Sequence, residues 1–153
     1  MNKTNVLFLC TGNSARSQMA EAFLRKYGGD HFDVYSAGLE PKGLHPLTKR
    51  VMEEIGVDLS GQWSKNVSEY LGKKHFGYFI TVCSDADAKC PTTFPGPKSE
   101  RLRWFFDDPA AVAGSETEAL AKFRAVRDQI QARILAWLTE LGLLAVRPET
   151  EER

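Results

Sequence analysis

The sequence is short of cysteine, of net charge and of long hydrophobic runs. Its 153 residues contain three cysteines, and 20 basic side chains balance 20 acidic ones. Without an excess of Lys and Arg, bulk electrostatics do not favour nucleic acid or an anionic membrane as a partner, so any bound anion must be recognised locally. No run reaches the roughly 18 apolar residues of a membrane span, and residues 6–9 are too few for a signal-peptide core. We therefore expect a cytoplasmic protein that binds neither nucleic acid nor membrane.

The three cysteines, Cys10, Cys83 and Cys90, do not form the even framework of a disulfide-rich secreted protein. In a cytoplasmic chain such a set favours reactive or metal-binding thiols. A zinc site needs four ligands, and the three histidines show no ligand-like spacing. Unreactive core thiols are the remaining alternative, although the acidic residues between Cys83 and Cys90 argue against burial of that whole segment.

Linkers, repeats and low-complexity segments are also missing. One domain over residues 1–146 is therefore expected, followed by a flexible charged tail at residues 147–153. Short apolar runs predict strands at residues 5–10, 32–38, 77–83 and 101–106. Alternating with these runs, helical spacing predicts helices over residues 20–27, 45–56 and 115–141.

The C-terminal helix carries the clearest local pattern. Ser115 and Glu118 form a capping box, and an apolar face extends from Leu120 to Leu141. Strands separated by helices predict an α/β fold, a single domain with a four-stranded parallel sheet flanked by helices. Ligands of such sheets bind beyond the carboxyl ends of the strands, where Cys10, Cys83 and the pair Asp107 and Asp108 are expected to lie.

The stretch CTGNSARS, residues 10–17, stands between a predicted strand and a predicted helix. Its backbone N–H groups can surround one tetrahedral anion, and the following helix adds the positive end of its dipole. Gly12 tolerates unusual backbone angles, and Asn13 either adopts the left-handed conformation or braces the loop with its amide. Arg16 offers a planar fork for two anion oxygens. The predicted anion-binding residues are Thr11, Gly12, Asn13, Ser14, Ala15, Arg16 and Ser17.

Cys10 is the predicted nucleophile of this loop. The surrounding N–H donors and the guanidinium favour its thiolate form, and Ser17 is placed to donate a hydrogen bond to the sulfur. A buried cysteine followed by a polar turn is the alternative, since buried free cysteines are common. The combination of strand, Cys, five spacer residues, Arg, Ser and helix favours a reactive thiol.

The segment VLFLCTGNSARSQMAEAF resembles the loop of the low-molecular-weight tyrosine phosphatase fold, and CTGNS-RSQMAE resembles its thioredoxin-coupled arsenate reductase branch. The likeness continues through VYSAG, GVDLS, TVCSDADAKCP, FFDDPA and FRAVRDQI, and so covers nearly the whole chain. It implies arsenate as the substrate, thioredoxin as the reducing partner and no bound cofactor. We also expect a monomer.

The resemblance implies a relay of three thiols. Cys10 attacks arsenate, and Cys83 then attacks the Cys10 sulfur, so that arsenite leaves and a Cys10–Cys83 disulfide forms. Cys90 next attacks Cys83, and thioredoxin reduces the resulting Cys83–Cys90 disulfide. The spacing of the last two thiols demands a conformational change, because a helix separates the Cα atoms of residues seven positions apart by about 10.5 Å. A disulfide needs roughly 4.4–6.8 Å.

The resemblance implies that Asp108, directly before Pro109, protonates the hydroxyl that leaves arsenic, while Asp107 supports the loop. A solvated Asp-Pro turn is the alternative for this pair. Phosphatases of the fold usually carry Tyr after that proline, where this chain has Ala110. Two rival functions stay open: a phosphatase acting on phosphotyrosine or a similar monoester, and a non-catalytic thiol sensor that binds an anion.

Some reductases of the family bind potassium beside the loop, through residues that match Asn13, Glu21 and Ser36 and an Asp that aligns with Lys65. A carboxylate replaced by an ammonium puts a potassium site here in doubt. Lys65 either places its own cation where the metal would lie, making activity independent of potassium, or points to solvent as most lysines do.

Overall fold

The structure is a computed structural model that describes residues 3–70, 72–89, 98–111 and 114–143. The tail at residues 147–153 lies outside these ranges, as does Cys90. In chain order the strands are β1 (Thr4–Cys10), β2 (Phe32–Gly38), β3 (Tyr78–Thr81) and β4 (Glu100–Arg103). The α-helices are α1 (Arg16–Gly28), α2 (Pro46–Glu53), α3 (Ser84–Lys89) and α4 (Glu116–Glu140), and short 3-10 turns lie at Val67–Glu69 and Pro109–Ala111.

The four strands form one sheet in the order β2-β1-β3-β4, and every neighbouring pair is parallel. This confirms the predicted α/β fold with a four-stranded parallel sheet flanked by helices. The central strand β1 is buried from Val6 to Cys10 because it has a neighbour on each side. All carboxyl ends meet at one edge of the sheet, which brings the end of β1 beside the segments that follow β2 and β3.

The two later strands are shorter than their apolar runs. β3 ends at Thr81 instead of Cys83, and β4 ends at Arg103 instead of Phe106. Beyond these ends Val82 still donates to the carbonyl of Leu9, and Phe106 to that of Val82. Each apolar run therefore extends beyond the paired strand, into the loops that carry Cys83 and Asp107.

Helix α4 begins at the predicted capping box, with Ser115 and Glu118 bonded to each other in both directions. Its buried face includes Leu120, Phe123, Val126, Ile130, Ile134 and Leu138. The prediction was wrong for Leu141, which follows the last helical residue and is 38% exposed. Arg127 lies on the buried face instead, where its guanidinium donates to the carbonyl of Val51 and to Glu54.

Membrane-spanning segments were not expected from the hydropathy pattern. Among the helices of the described ranges, none combines the length and the apolar character needed to cross a bilayer.

Candidate active site

A cleft with a volume of about 270 Å³ opens at the carboxyl end of β1. Its walls come from the loop after β1, from the segment between β2 and α2, and from the turn after β4. The lining residues are Cys10, Thr11, Gly12, Ser14, Ala15, Arg16, Lys42, Gly43, Leu44, His45, Pro46, Asp108 and Ala110. The structure therefore brings the predicted nucleophile, the predicted anion-binding arginine and the predicted acid to one cavity.

The loop between Cys10 and Arg16 owes its shape to Asn13 rather than to Gly12. Asn13 has a φ of 47°, in the left-handed region that asparagine tolerates. Gly12 does not have a positive φ, and a Cβ at Gly12 would lie 3.3 Å from Cδ of Lys42. The close approach is at Gly38 instead, where a Cβ would be 2.7 Å from the carbonyl oxygen of Thr11.

The side chain of Asn13 is fully buried and bonded on both sides. Its Nδ2 donates to Oγ of Ser17 at 2.8 Å and to Oγ of Ser36 at 3.0 Å. Its Oδ1 accepts from the backbone N–H of Lys65 at 2.8 Å and from Nε2 of Gln18 at 3.2 Å. Asn13 thus provides both of the features that the sequence offered as alternatives, the left-handed residue and the amide brace.

The sulfur of Cys10 lies at the base of the cleft and contacts two donors. The backbone N–H of Asn13 donates to Sγ at 3.2 Å, and Oγ of Ser17 lies 2.9 Å away. Because Ser17 already accepts from Asn13, its own hydroxyl proton is free to point at the sulfur. This arrangement stabilises a thiolate by hydrogen bonding.

The guanidinium of Arg16 lies beside the same cleft at the first residue of α1. Nη1 donates to the carbonyl of Phe106 at 3.0 Å, and Nη2 is 3.8 Å from Oδ2 of Asp108. Ala15, at the N-cap position, makes no side-chain hydrogen bond to the helix. Among the described residues no side chain caps the first N–H groups of α1, and an anion in the cleft can take that role.

The two aspartates after β4 have different environments. Asp107 accepts from Nζ of Lys122 at 2.9 Å, and this hydrogen bond lowers the pKa of Asp107 from its ordinary value. Asp108 accepts from the N–H of Ala110 at 3.0 Å, as in the Asp-Pro turn that the sequence left as the alternative, and its side chain also lines the cleft. Of the two, Asp108 is the carboxyl group placed to exchange a proton with a ligand of Cys10.

Cys83 is buried next to the loop, outside the cleft itself. Its Sγ accepts from the N–H of Ala86 at 3.4 Å and lies 3.6 Å from Oγ1 of Thr11. The Thr11 hydroxyl donates to Oδ2 of Asp85 at 2.7 Å, and this bond lowers the pKa of Asp85. One loop residue therefore joins the anion site to the second thiol and to helix α3.

Cys90 lies outside the described residues, and so does any metal site that would include it. Within the described ranges, no group of three or more His, Cys, Asp and Glu side chains is arranged to bind a metal. The described part of the segment after Cys83 is helical, as α3. From this helical conformation, a disulfide between Cys83 and Cys90 can form only if the segment unwinds.

The residues that match a potassium site do not fit a potassium ion. Lys65 is 3% exposed, and its Nζ lies 3.9 Å from Oε1 of Glu21 and 2.5 Å from the carbonyl oxygen of Trp63. Glu21 also accepts from Ser36 at 2.5 Å and from Arg25 at 2.5 Å. The oxygens that would bind the metal already have cationic or hydrogen-bonding partners, and burial lowers the pKa of Lys65.

Sequence reasoning missed several residues that shape the site. Gln18 is fully buried and ties Asn13 to the carbonyl of Trp63, where its Nε2 donates at 2.9 Å. Lys42 and His45 line the cleft from the segment after β2. Their position could have been inferred, because this segment follows the carboxyl end of the strand next to β1.

Known proteins resemble this chain in sequence and in structure. The model of the family described as low molecular weight phosphotyrosine protein phosphatase matches residues 5–144. An arsenate reductase of Halalkalibacterium halodurans is 49% identical over 134 residues, which cover 88% of this chain and 94% of that protein.

Two solved structures are also similar to this chain. One, described as an arsenate reductase in the phosphate binding state, has a TM-score of 0.74 and 30% identity, and the match covers 90% of this chain and 98% of that one. The other is a thioredoxin-dependent arsenate reductase of Corynebacterium glutamicum, with a TM-score of 0.69, 27% identity and coverage of 92% and 63%.

Proposed function

The chain belongs to the low molecular weight phosphotyrosine protein phosphatase family, and we propose that within it the chain is a thioredoxin-dependent arsenate reductase. The observation that carries this proposal is the placement of Cys83, whose sulfur lies 3.6 Å from Oγ1 of Thr11 in the anion loop. A phosphatase needs one nucleophile and one acid. A second thiol at the wall of the same loop supports a reaction that transfers electrons.

The first step uses the cleft. Arsenate is held by the loop N–H groups and by the guanidinium of Arg16, and the thiolate of Cys10 attacks arsenic. Asp108 gives its proton to the departing hydroxyl, which leaves as water. The product is a Cys10 arsenate ester in which arsenic is still pentavalent.

The second step reduces arsenic. The Cys83 thiolate attacks the sulfur of Cys10, the sulfur–arsenic bond breaks, and its electron pair stays on arsenic, which leaves as trivalent arsenite. The two sulfurs are joined in a disulfide and carry the two oxidising equivalents. The hydrogen bond from the N–H of Ala86 supports Cys83 as the attacking thiolate.

The third step regenerates the nucleophile. Cys90 as a thiolate attacks Cys83, and Cys10 leaves as a thiolate ready for another arsenate. A dithiol of thioredoxin then reduces the Cys83–Cys90 disulfide. The expectations of a monomer, of a cytoplasmic location and of a single domain over residues 1–146 stay predictions.

A coupled assay tests the function. With thioredoxin, thioredoxin reductase and NADPH present, adding arsenate to the protein is expected to start NADPH oxidation, and adding phosphate is not. The control omits thioredoxin: NADPH oxidation should then not start, and the reduced protein should form arsenite for one turnover only. Hydrolysis of p-nitrophenyl phosphate without arsenate-dependent NADPH oxidation would favour the phosphatase, and neither activity would favour the thiol sensor.

We further propose that the ammonium of Lys65 takes the place of a potassium ion beside the loop. Arsenate reduction is then expected to proceed at the same rate, within about twofold, in sodium and in potassium buffers. Replacing Lys65 with Asp should create potassium dependence, because it removes the internal cation and leaves an anionic pocket with Glu21. Initial rates in the two salts measure the effect.

The control for this prediction is Lys49→Asp, which makes the same charge change at an exposed position of α2. It should leave the sodium-to-potassium rate ratio at one. A strong potassium stimulation of the unaltered protein would contradict the role of Lys65.

A further inference from the structure

Helix α3 is held to the sheet by one carboxylate, that of Asp87. Oδ1 of Asp87 accepts from Oγ1 of Thr81 on β3 at 3.0 Å and from Nη2 of Arg101 on β4 at 2.9 Å. Oδ2 accepts from Nε of Arg103 at 3.0 Å. The Asp87 side chain is 19% exposed and that of Arg101 13%, so the Asp87–Arg101 ion pair is largely shielded from solvent.

Helix α3 makes few other contacts that hold it in place. It contains six residues, fewer than two turns, and such a short helix is not stable on its own. Its one buried residue is Ala86, which offers a single methyl group to the core. Within the described ranges its other ties to the body of the protein are the hydrogen bonds from Thr11 to Asp85 and from the N–H of Ala86 to the sulfur of Cys83. The contacts of Asp87 therefore dominate the balance between the wound and unwound forms of α3.

Arg101 makes the release of Asp87 costly. Within the described residues, the guanidinium of Arg101 donates two hydrogen bonds, and both go to Asp87. One reaches the carboxylate at 2.9 Å and the other the backbone carbonyl at 3.2 Å. Nε and Nη1 of Arg101 are buried and have no hydrogen-bond partner in the described structure. Withdrawing Asp87 leaves a shielded cation without its counter-charge, which opposes unwinding.

The proposed relay makes opposite demands on α3. When Cys83 attacks Cys10, the helix must be wound, because only then does the N–H of Ala86 lie at the Cys83 sulfur. When Cys90 attacks Cys83, the helix must unwind, because a helix holds residues seven positions apart at about 10.5 Å, too far for a disulfide. A latch on α3 would favour the earlier step and slow the later one.

We propose that Asp87, through its ion pairs with Arg101 and Arg103, is the latch that keeps α3 wound until arsenite has left and that sets the rate at which the disulfide passes from Cys10–Cys83 to Cys83–Cys90. Asp87 is a positioning residue and does not touch the substrate. The inference rests on the proposed function for its two reaction steps. The hold of Asp87 on α3 does not depend on that function.

The decisive variant is Asp87→Asn, which keeps the shape and an acceptor oxygen but removes the charge. Arg103→Gln is the milder companion, because Arg103 is half exposed and its loss leaves the Asp87–Arg101 pair in place. Asp33→Asn, at an exposed position of β2, is the matched control for the charge change. Rapid mixing with arsenate, followed by alkylation of free thiols and mass spectrometry, measures the formation of each disulfide.

In Asp87→Asn we expect Cys10–Cys83 formation to slow by about threefold to tenfold and its conversion to Cys83–Cys90 to accelerate by a similar factor. Arg103→Gln should shift both rates in the same directions by about twofold. General destabilisation of the protein would lower both rates, and an uninvolved residue would change neither. Either of these results would overturn the latch.

Amide hydrogen exchange of the reduced protein gives a readout without arsenate. The amides of Ser84–Lys89 should exchange about tenfold faster in Asp87→Asn, while those of α4 keep their rates. Unchanged exchange in α3 would refute the latch whether or not the protein reduces arsenate. Absence of arsenate-driven disulfides in the unaltered protein would instead contradict the proposed function.

Discussion

Replacing Cys83 with serine is expected to lower multiple-turnover arsenate reduction by about 10³-fold or more, because a serine hydroxyl cannot take up the oxidising equivalents as a disulfide. Binding of arsenate and attack by Cys10 should persist, since the loop, Arg16 and Asp108 are unchanged. The measurement is thioredoxin-coupled NADPH oxidation with excess arsenate, compared with one-turnover formation of the Cys10 adduct by mass spectrometry.

Serine at position 83 also provides its own structural control. Its hydroxyl can accept the N–H of Ala86 and contact Thr11 in place of the sulfur, so helix α3 should keep its contacts. If the protein is a phosphatase, hydrolysis of p-nitrophenyl phosphate is unaffected and no arsenate-dependent step is lost. Full arsenate turnover in Cys83→Ser would contradict the relay.

The parts of the site that residue spacing predicted lie in one continuous stretch, whereas Cys83 and Asp108 were expected from the family resemblance. Cys10, Asn13, Arg16 and Ser17 lie within eight residues, where strand, loop and helix follow one another directly. The capping box of α4 is local in the same sense and lies where it was predicted. Short-range geometry decides these features, so residue spacing is sufficient to infer them.

The features that the sequence left open or did not predict depend on partners far along the chain. Lys65 is buried because Glu21, 44 positions earlier, and the carbonyl of Trp63 receive its ammonium. Gly38 meets Thr11 across two parallel strands. Such contacts are fixed by the order and register of the strands, which no local pattern contains.

The aspartates of α3 illustrate the same limit. Their composition suggested a segment able to leave a helix, which is a local property. The sequence could not show that Asp87 reaches Arg101 and Arg103, because this requires β4 to lie beside β3. The pairing of these two strands turns an apparently solvated acidic residue into the main tie of the helix.

Replacing Arg16 with lysine is expected to lower kcat/KM for arsenate by about 10²–10³-fold, the usual effect of removing one preorganised donor from an oxyanion site. Lysine keeps the positive charge, but it has no planar fork. The guanidinium donates to the carbonyl of Phe106 with Nη1 while Nη2 faces Asp108 and the cleft. A single ammonium cannot hold this loop contact and two oxygens of the anion together.

The lower kcat/KM of Arg16→Lys should come from the steps that involve the anion and not from the thiol exchange. Once a Cys10–Cys83 disulfide has formed, its conversion to Cys83–Cys90 should proceed in Arg16→Lys at the unaltered rate, because arsenic has already left. Arg50→Lys is the matched control, since Arg50 forms an exposed pair with Glu116 on α2 and α4. Equal kcat/KM values for Arg16→Lys and Arg50→Lys would show that charge alone binds the anion and that the fork of Arg16 is not required.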